Sequence, residues 1–256
     1  MSCRGFGIAG SLNADLVAPL AEAAEKAGFS SFWANDTPGA DSLAVLQRAA
    51  AVTSSIRLGV GVIPLDRRPA TAMVDQIAGS EIPQDRLIIG VGSGATLGGS
   101  LNLVQTGVKV LRGRGFSVAV GALGDRMVDL AAEHADAVLL NWLTPEWAAR
   151  SAERVRRNSR KTGTEVIGYV RTGLTASVSG VQAEADRYTG LPQYGRHFQN
   201  MGVRAIDTGA VGSPVEIGGQ LERFDEVLDE TVVRAIVVSE SLDDYLQVIE
   251  AGKPRR

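Results

Sequence analysis

Apolar positions along the chain follow two alternating rhythms. Short unbroken apolar runs recur at "GFGIAG" (5–10), "SFWAND" (31–36), "IRLGVGVIP" (56–64) and "RLIIGVGS" (86–93). They continue at "SVAVGAL" (117–123), "AVLLNW" (137–142), "EVIGYVRTGL" (165–174) and "TVVRAIVVSES" (231–241). Runs of this kind read as parallel strands buried on both faces. Between them lie segments with helical spacing. Leu16, Leu20, Ala24 and Ala27 share one face before Gly28, and Leu43, Leu46 and Ala50 share another. Pro69, and Thr144 with Glu146, mark helix starts.

Eight strand-then-helix units in 256 residues predict a (β/α)8 TIM barrel of the α/β class. A doubly wound sheet is the alternative. No Gly/Ser/Pro linker or composition shift divides the chain, so residues 1–256 read as a single domain. The connection between the fourth and fifth units is short, which predicts a compact barrel with an open pocket.

Composition narrows the function. The chain is 45% hydrophobic and 21% charged, with 26 basic against 29 acidic residues and a net charge of −3. That balance gives no basic field for nucleic acid or an anionic membrane. One cysteine, Cys3, placed in a mobile N-terminus, and two histidines, His134 and His197, exclude a disulfide framework and a His-rich metal site. The opening "MSCRGFGIAG" lacks a signal-peptide core, and no 18-residue apolar run occurs. A cytoplasmic location is expected.

"GVGSGA" (90–95) satisfies G-x-G-x-x-[GA] after a strand, the pattern of a dinucleotide-binding turn. It sits on the fourth unit, however, and no acidic residue follows at the required distance. In a barrel, chemistry gathers at the C-terminal strand ends. Those ends carry Asn35, Asp36 and Thr37, Gly61 to Leu65, Ser93 to Ala95, Gly124 to Arg126, Asn141 and Trp142, and Arg171 and Thr172. Strong acids and bases are scarce there, which suits a cofactor that brings its own electrons. Gly124, Asp125 and Arg126 open a helix whose N-terminus suits a phosphate, the alternative being a plain turn with Asp125 as its cap. Gly59 and Gly61 mark either a bulge under a flat ligand or small-residue packing inside the barrel.

The stretches "AEAAEKAGFSSFWAND", "LAVLQRAAAVTSSIRLGVGVIPLDRRPA", "DRLIIGVGSG", "VAVGALGDRMVDLAAEHADAVLLNWLTPE" and "GSPVEIGGQLERFDEV" resemble, in order and spacing, the bacterial luciferase-like family of flavin- and deazaflavin-dependent oxidoreductases. The resemblance implies coenzyme F420 as cofactor, with FMN as the alternative, lying across the strand ends. It implies a cis bond between Gly61 and Val62 behind the ring, with Asp36 in contact and Gly124, Asp125 and Arg126 holding phosphate. Ser93, Gly94 and Asn141 complete the implied cofactor site. Asp36 and Thr37 are the candidate catalytic residues, and no metal is expected.

Two positions depart from the family pattern. Thr37 stands where many deazaflavin members have histidine, and Ala95 where sugar-phosphate dehydrogenases have glutamate, which argues against the sugar-phosphate reaction. The implied function is hydride transfer between F420 and a small organic substrate. An FMN-dependent monooxygenase and a non-catalytic cofactor-binding protein are the alternatives.

Other features have plainer readings. Arg67 and Arg68 meet an anionic cofactor tail or form a solvated loop. Trp142 flanks a ligand or packs in a loop, and Trp33 is structural. "RVRRNSRKTG" (154–163) is a solvated helix end. Tyr188, Tyr194, His197 and Phe198 pack on the barrel or on a partner subunit, and a homodimer is expected.

Overall fold

The computed structural model describes residues 3–96, 98–159 and 163–255. In chain order its elements are β1 (Cys3–Ala9), α1 (Ala14–Ala27), β2 (Ser31–Asn35), α2 (Ser42–Ala50), β3 (Arg57–Val60), β4 (Ile63–Pro64), α3 (Ala70–Ala78), β5 (Leu87–Gly92) and α4 (Ser100–Arg112). They continue with β6 (Ser117–Ala122), α5 (Asp125–His134), β7 (Ala137–Asn141), α6 (Pro145–Asn158), β8 (Glu165–Leu174), α7 (Val178–Thr189) and α8 (Pro192–Met201). The last are β9 (Ala210–Gly212), α9 (Pro214–Asp225), β10 (Glu230–Ala235) and α10 (Leu242–Gly252).

All strand pairings are parallel, in the order β1, β2, β3, β5, β6, β7, β8, with β10 pairing both β8 and β1. This closes an eight-stranded barrel, with helices outside it and the predicted α/β architecture throughout. The eight apolar runs of the sequence supply its eight walls. Two details depart from the expectation. The run 56–64 is divided into β3 and β4, with Gly61 and Val62, whose peptide bond is cis, between them. The insertion before the last strand holds a further short strand, β9, that pairs with the far end of β8. Cys3 is the first residue of β1, its N–H donating to the Asp229 carbonyl at 3.2 Å, so it is held in the sheet.

The period of two along each strand splits the apolar residues between two cores. Phe6, Ile8, Phe32, Leu58, Ile89, Val91 and Val120 face the helices. Trp33, Ile88, Ala119, Ala137, Leu139, Ile167, Tyr169 and Val232 fill the barrel itself. Burying each large member contributes about 1.5–3 kcal/mol. Trp33 fits because β3 offers no side chain beneath it: a Cβ on Gly59 would lie 2.3 Å from the indole. Small-residue packing thus accounts for Gly59 of "LGVGV".

Local signals fix the helix ends. Gly28 stops α1 in the left-handed region at φ 89°. Ser213 and Glu216 form a capping box at α9, with Pro214 in the first turn. Pro69 and Thr144 are the N-caps of α3 and α6.

Candidate active site

The C-terminal mouth of the barrel has two unlike halves. On the β3 to β6 side the connections are short, and the inward-facing Val62 and Gly121 keep partial access to solvent. Val62 forms the floor there. Cβ atoms on Gly92 and Gly121 would lie 2.9 and 3.0 Å from its methyl groups. Gly90 and Gly92 of "GVGSGA" therefore make room for Val62 and for the Val60 carbonyl, which a Gly90 Cβ would meet at 1.8 Å.

On the β7, β8 and β10 side the mouth is covered. Arg171 stacks over Trp142 at 3.9 Å and over Tyr188 at 5.2 Å. It donates to Asn141 Oδ1 and pairs with Glu184 of α7 at 3.1 Å. Tyr194 of α8 meets the Asn141 side chain, and burial, with Tyr188 nearby, pushes its hydroxyl up to about 12. His197 sits behind this layer with Nε2 3.0 Å from the Trp142 carbonyl. A carbonyl only accepts, so Nε2 carries the proton. Burial outweighs the surrounding carbonyls and lowers its pKa. Trp142 reaches this carbonyl contact with φ 56°, the one non-glycine residue described there, a conformation costing about 1–3 kcal/mol.

Asn35 joins the two halves. Its Nδ2 donates to the Gly61 carbonyl at 2.5 Å and its Oδ1 accepts from Arg234 Nε at 2.7 Å. Arg234 has no acceptor atom, so it dictates which way the Asn35 amide faces. Beneath them Tyr169 spans the barrel from β8 to Gly61, its buried hydroxyl without a hydrogen-bond partner among the described residues. Burial raises its pKa, so the phenol keeps its proton.

Residues 7–97 match the family model described as luciferase-like monooxygenase. The chain carries that match in its N-terminal part. Among solved structures it is similar to the coenzyme F420-dependent tetrahydromethanopterin reductase of Methanopyrus kandleri, with TM-score 0.76 and 16% identity over 97% of each chain. It is also similar to an F420-dependent secondary alcohol dehydrogenase in complex with an F420-acetone adduct, with TM-score 0.77 and 13% identity over 99% of each chain. A third is a monooxygenase from Streptomyces bottropensis, with TM-score 0.69 and 16% identity over 99% of this chain and 98% of that one. At these identities the likeness is one of fold. Among curated proteins none matches the sequence.

The barrel places the predicted residues as follows. Gly61, Val62, Ser93, Gly94 and Gly124 to Arg126 border the open half, and Asn141 stands at the covered half. Asp36 is not a free acid. Its carboxylate accepts from Arg67 at 3.0 Å, Arg68 at 3.1 Å and the Ser42 hydroxyl at 2.8 Å. Both carboxylate oxygens accept from an arginine, so Asp36 organises the two rim arginines. Thr37 follows it, half-buried, with a hydroxyl unbonded among the described residues. Ala95 donates its N–H to Asp66 at 2.8 Å, which ties the β5 loop to the loop before α3.

Asp125 is the first residue of α5 but does not cap it. Its carboxylate turns to Arg154 of α6 at 2.8 Å, and Arg154 also holds Asp129 at 2.6 Å. This draws negative charge away from the α5 N-terminus, where Arg126 is exposed. The basic run 154–163 is therefore partly an ion-pair framework; its residues 160–162 lie outside the described ones.

Sequence reasoning did not select Tyr169, Glu184 or Arg234. The usable signal was period two: Tyr169 with Arg171, and Glu230 with Arg234, alternate on the inward face of otherwise apolar strands. Among the described residues no metal-binding cluster occurs, and no helix is long and apolar enough to cross a membrane.

Proposed function

We propose that this protein is an oxidoreductase that holds coenzyme F420 at the barrel mouth and moves hydride between it and a small organic substrate. The observation that carries this reading is the open half of the mouth. A shallow floor at Val62 and Gly121 lies beside the uncapped N-terminus of α5, and nothing stands within 4 Å of where a Gly124 Cβ would be. A planar ring fits over such a floor, and a phosphate fits unpaired N–H groups at a helix start. The likeness to F420-dependent barrels supports the choice of cofactor.

When bound, a deazaflavin supplies a two-electron hydride carrier. The chain supplies placement. Gly61 and Val62 back the ring, their peptide carbonyl fixed by Asn35. Ser93, Gly94 and Asn141 border it. The N–H groups of Asp125 and Arg126, with the Arg126 charge, hold phosphate beside Gly124. Asp36 fixes Arg67 and Arg68 on the rim, and Thr37 presents a hydroxyl for a substrate proton. The reading includes a homodimer, which sedimentation velocity measures.

The family model favours a second reading, an FMN-dependent monooxygenase on the same scaffold. Mixing the purified protein with oxidised F420 and, separately, FMN, and following fluorescence, decides between them. F420 binding followed by hydride transfer to a substrate panel supports the first reading. FMN binding without an F420 response replaces it with the second. F420 binding with no turnover across the panel leaves a binding protein.

A further inference from the structure

Arg171 and Arg234 are register partners on the neighbouring strands β8 and β10. Two guanidinium side chains therefore leave the barrel wall side by side, and both residues are buried. Like charges directly opposite in a sheet repel, and the repulsion grows where water is excluded. Glu184 answers them, 3.1 Å from Arg171 Nε. Burial works against its charge, but Arg171 and then Arg234 outweigh it and hold the carboxyl below its usual range.

Arg234 has no ion-pair partner among the described residues. Its Nε and Nη1 donate to Asn35 Oδ1 and to the Ala235 carbonyl, which leaves Nη2 without a protein acceptor. Neighbouring polar groups deepen the imbalance. Tyr169, two residues before Arg171 on the same face, has a buried hydroxyl with no partner among the described residues. Trp142, stacked under Arg171, has a buried Nε1 with none among those residues. Nearby acceptors are already used: Asn35 Oδ1 by Arg234, Asn141 Oδ1 by Arg171, and the Gly61 carbonyl by Asn35. Buried polar groups are ordinarily satisfied, so this sector holds donors and one positive charge in excess.

We infer that the β8–β10 sector recognises an anionic group, and that the small-molecule substrate is a carboxylate. One uncompensated cation matches a monoanion, and a guanidinium fork suits two coplanar oxygens. The inference rests on reading the mouth as the cofactor and substrate site.

The test titrates the full-length protein, without cofactor and in chloride-free buffer, with benzoate and with benzamide, following tryptophan fluorescence. Benzoate is expected to bind saturably, with benzamide at least tenfold weaker. Arg234→Gln is expected to weaken benzoate at least tenfold and leave benzamide unchanged. Should that variant fold poorly by circular dichroism, Tyr169→Phe removes a single hydroxyl and is expected to weaken benzoate several-fold. Equal binding of acid and amide, no benzoate response, or unchanged benzoate affinity in the folded variants overturns the inference. Repeating the titration with saturating F420 or FMN separates the two claims. Retained benzoate binding supports a substrate site, and displacement by the cofactor overturns that assignment. A protein that binds benzoate but neither cofactor keeps the anion site and loses the cofactor reading.

Discussion

Tyr169 and Gly61 face each other across the full width of the barrel, so closely that a Cβ on Gly61 would lie 2.5 Å from the phenol oxygen and 2.7 Å from Cζ. The two positions should behave as one unit. Gly61→Ala is expected to cost about 1–3 kcal/mol by overpacking. Urea unfolding of Gly61→Ala, Tyr169→Leu and the double variant should show clear non-additivity, because the smaller side chain leaves room for the methyl group. Additive costs would mean that the two residues do not share the space.

Glu230 lies at the opposite end of the barrel, accepting from Ser31 Oγ at 2.6 Å and Trp33 Nε1 at 2.8 Å. Burial raises its pKa above the ordinary 4.5, despite these bonds and Arg57. With the folded value above the unfolded one, the native state binds the proton more tightly. Stability from this group is therefore lost as pH rises from about 4.5 toward the folded value. Glu230→Gln should remove that loss. Stability measured from pH 4 to pH 8 should fall less in the variant than in the parent.

His197 gives the reverse slope. Burial lowers its pKa below the ordinary 6.5, so the unfolded chain takes up a proton first as pH falls. Stability is present above 6.5 and lost as pH drops toward the folded value. His197→Gln keeps a donor for the Trp142 carbonyl and should flatten this acid limb in a thermal-melt series.

Asp36 predicts stability where its position after β2 suggested chemistry. Asp36→Asn leaves two arginines without their shared anion, and losing hydrogen bonds to a charged group costs about 1.5–3 kcal/mol. The expected signature is a lower urea midpoint, with cofactor affinity changed less than fivefold at temperatures where the variant remains folded. A large loss of turnover with unchanged stability would restore the carboxylate as a reacting group.

Arg154 offers a way to alter the α5 N-terminus without touching it. Arg154→Ala frees Asp125 and Asp129 from their common partner and leaves their charge nearer the helix start. Charges at a helix terminus act with about 0.3–1 kcal/mol. Affinity for a phosphate-bearing cofactor should fall about two- to fivefold, and added salt should narrow the difference.

Much of this molecule is written in local patterns. The eight walls follow from unbroken apolar runs, and the ends of α1, α6 and α9 follow from Gly28, Thr144 and Ser213. The cis bond at Gly61–Val62 matches what the family resemblance implies. The β9 strand is hidden because "AVG" is too short to carry a period. The role of Asp36 is hidden because Arg67 and Arg68 lie on a different loop, and nothing in either segment states which charges meet. Gly59 and Gly90 invite a ligand in the sequence, whereas Trp33 and the Val60 carbonyl fill those spaces in the fold. Chain order reveals a small residue but not what moves into the gap it leaves.

The length of β8 has a consequence for traffic. At ten residues it outruns β7 and β10, and its last three residues carry β9 as an added course of wall. The rim is therefore lopsided, a parapet on one bank and a low sill along β3 to β6. On the proposed carboxylate reading, the substrate crosses the sill with its charged end leading toward Arg171 and Arg234, and its trailing end faces water. Chain growth at the trailing end should be tolerated, and bulk at the leading end should not.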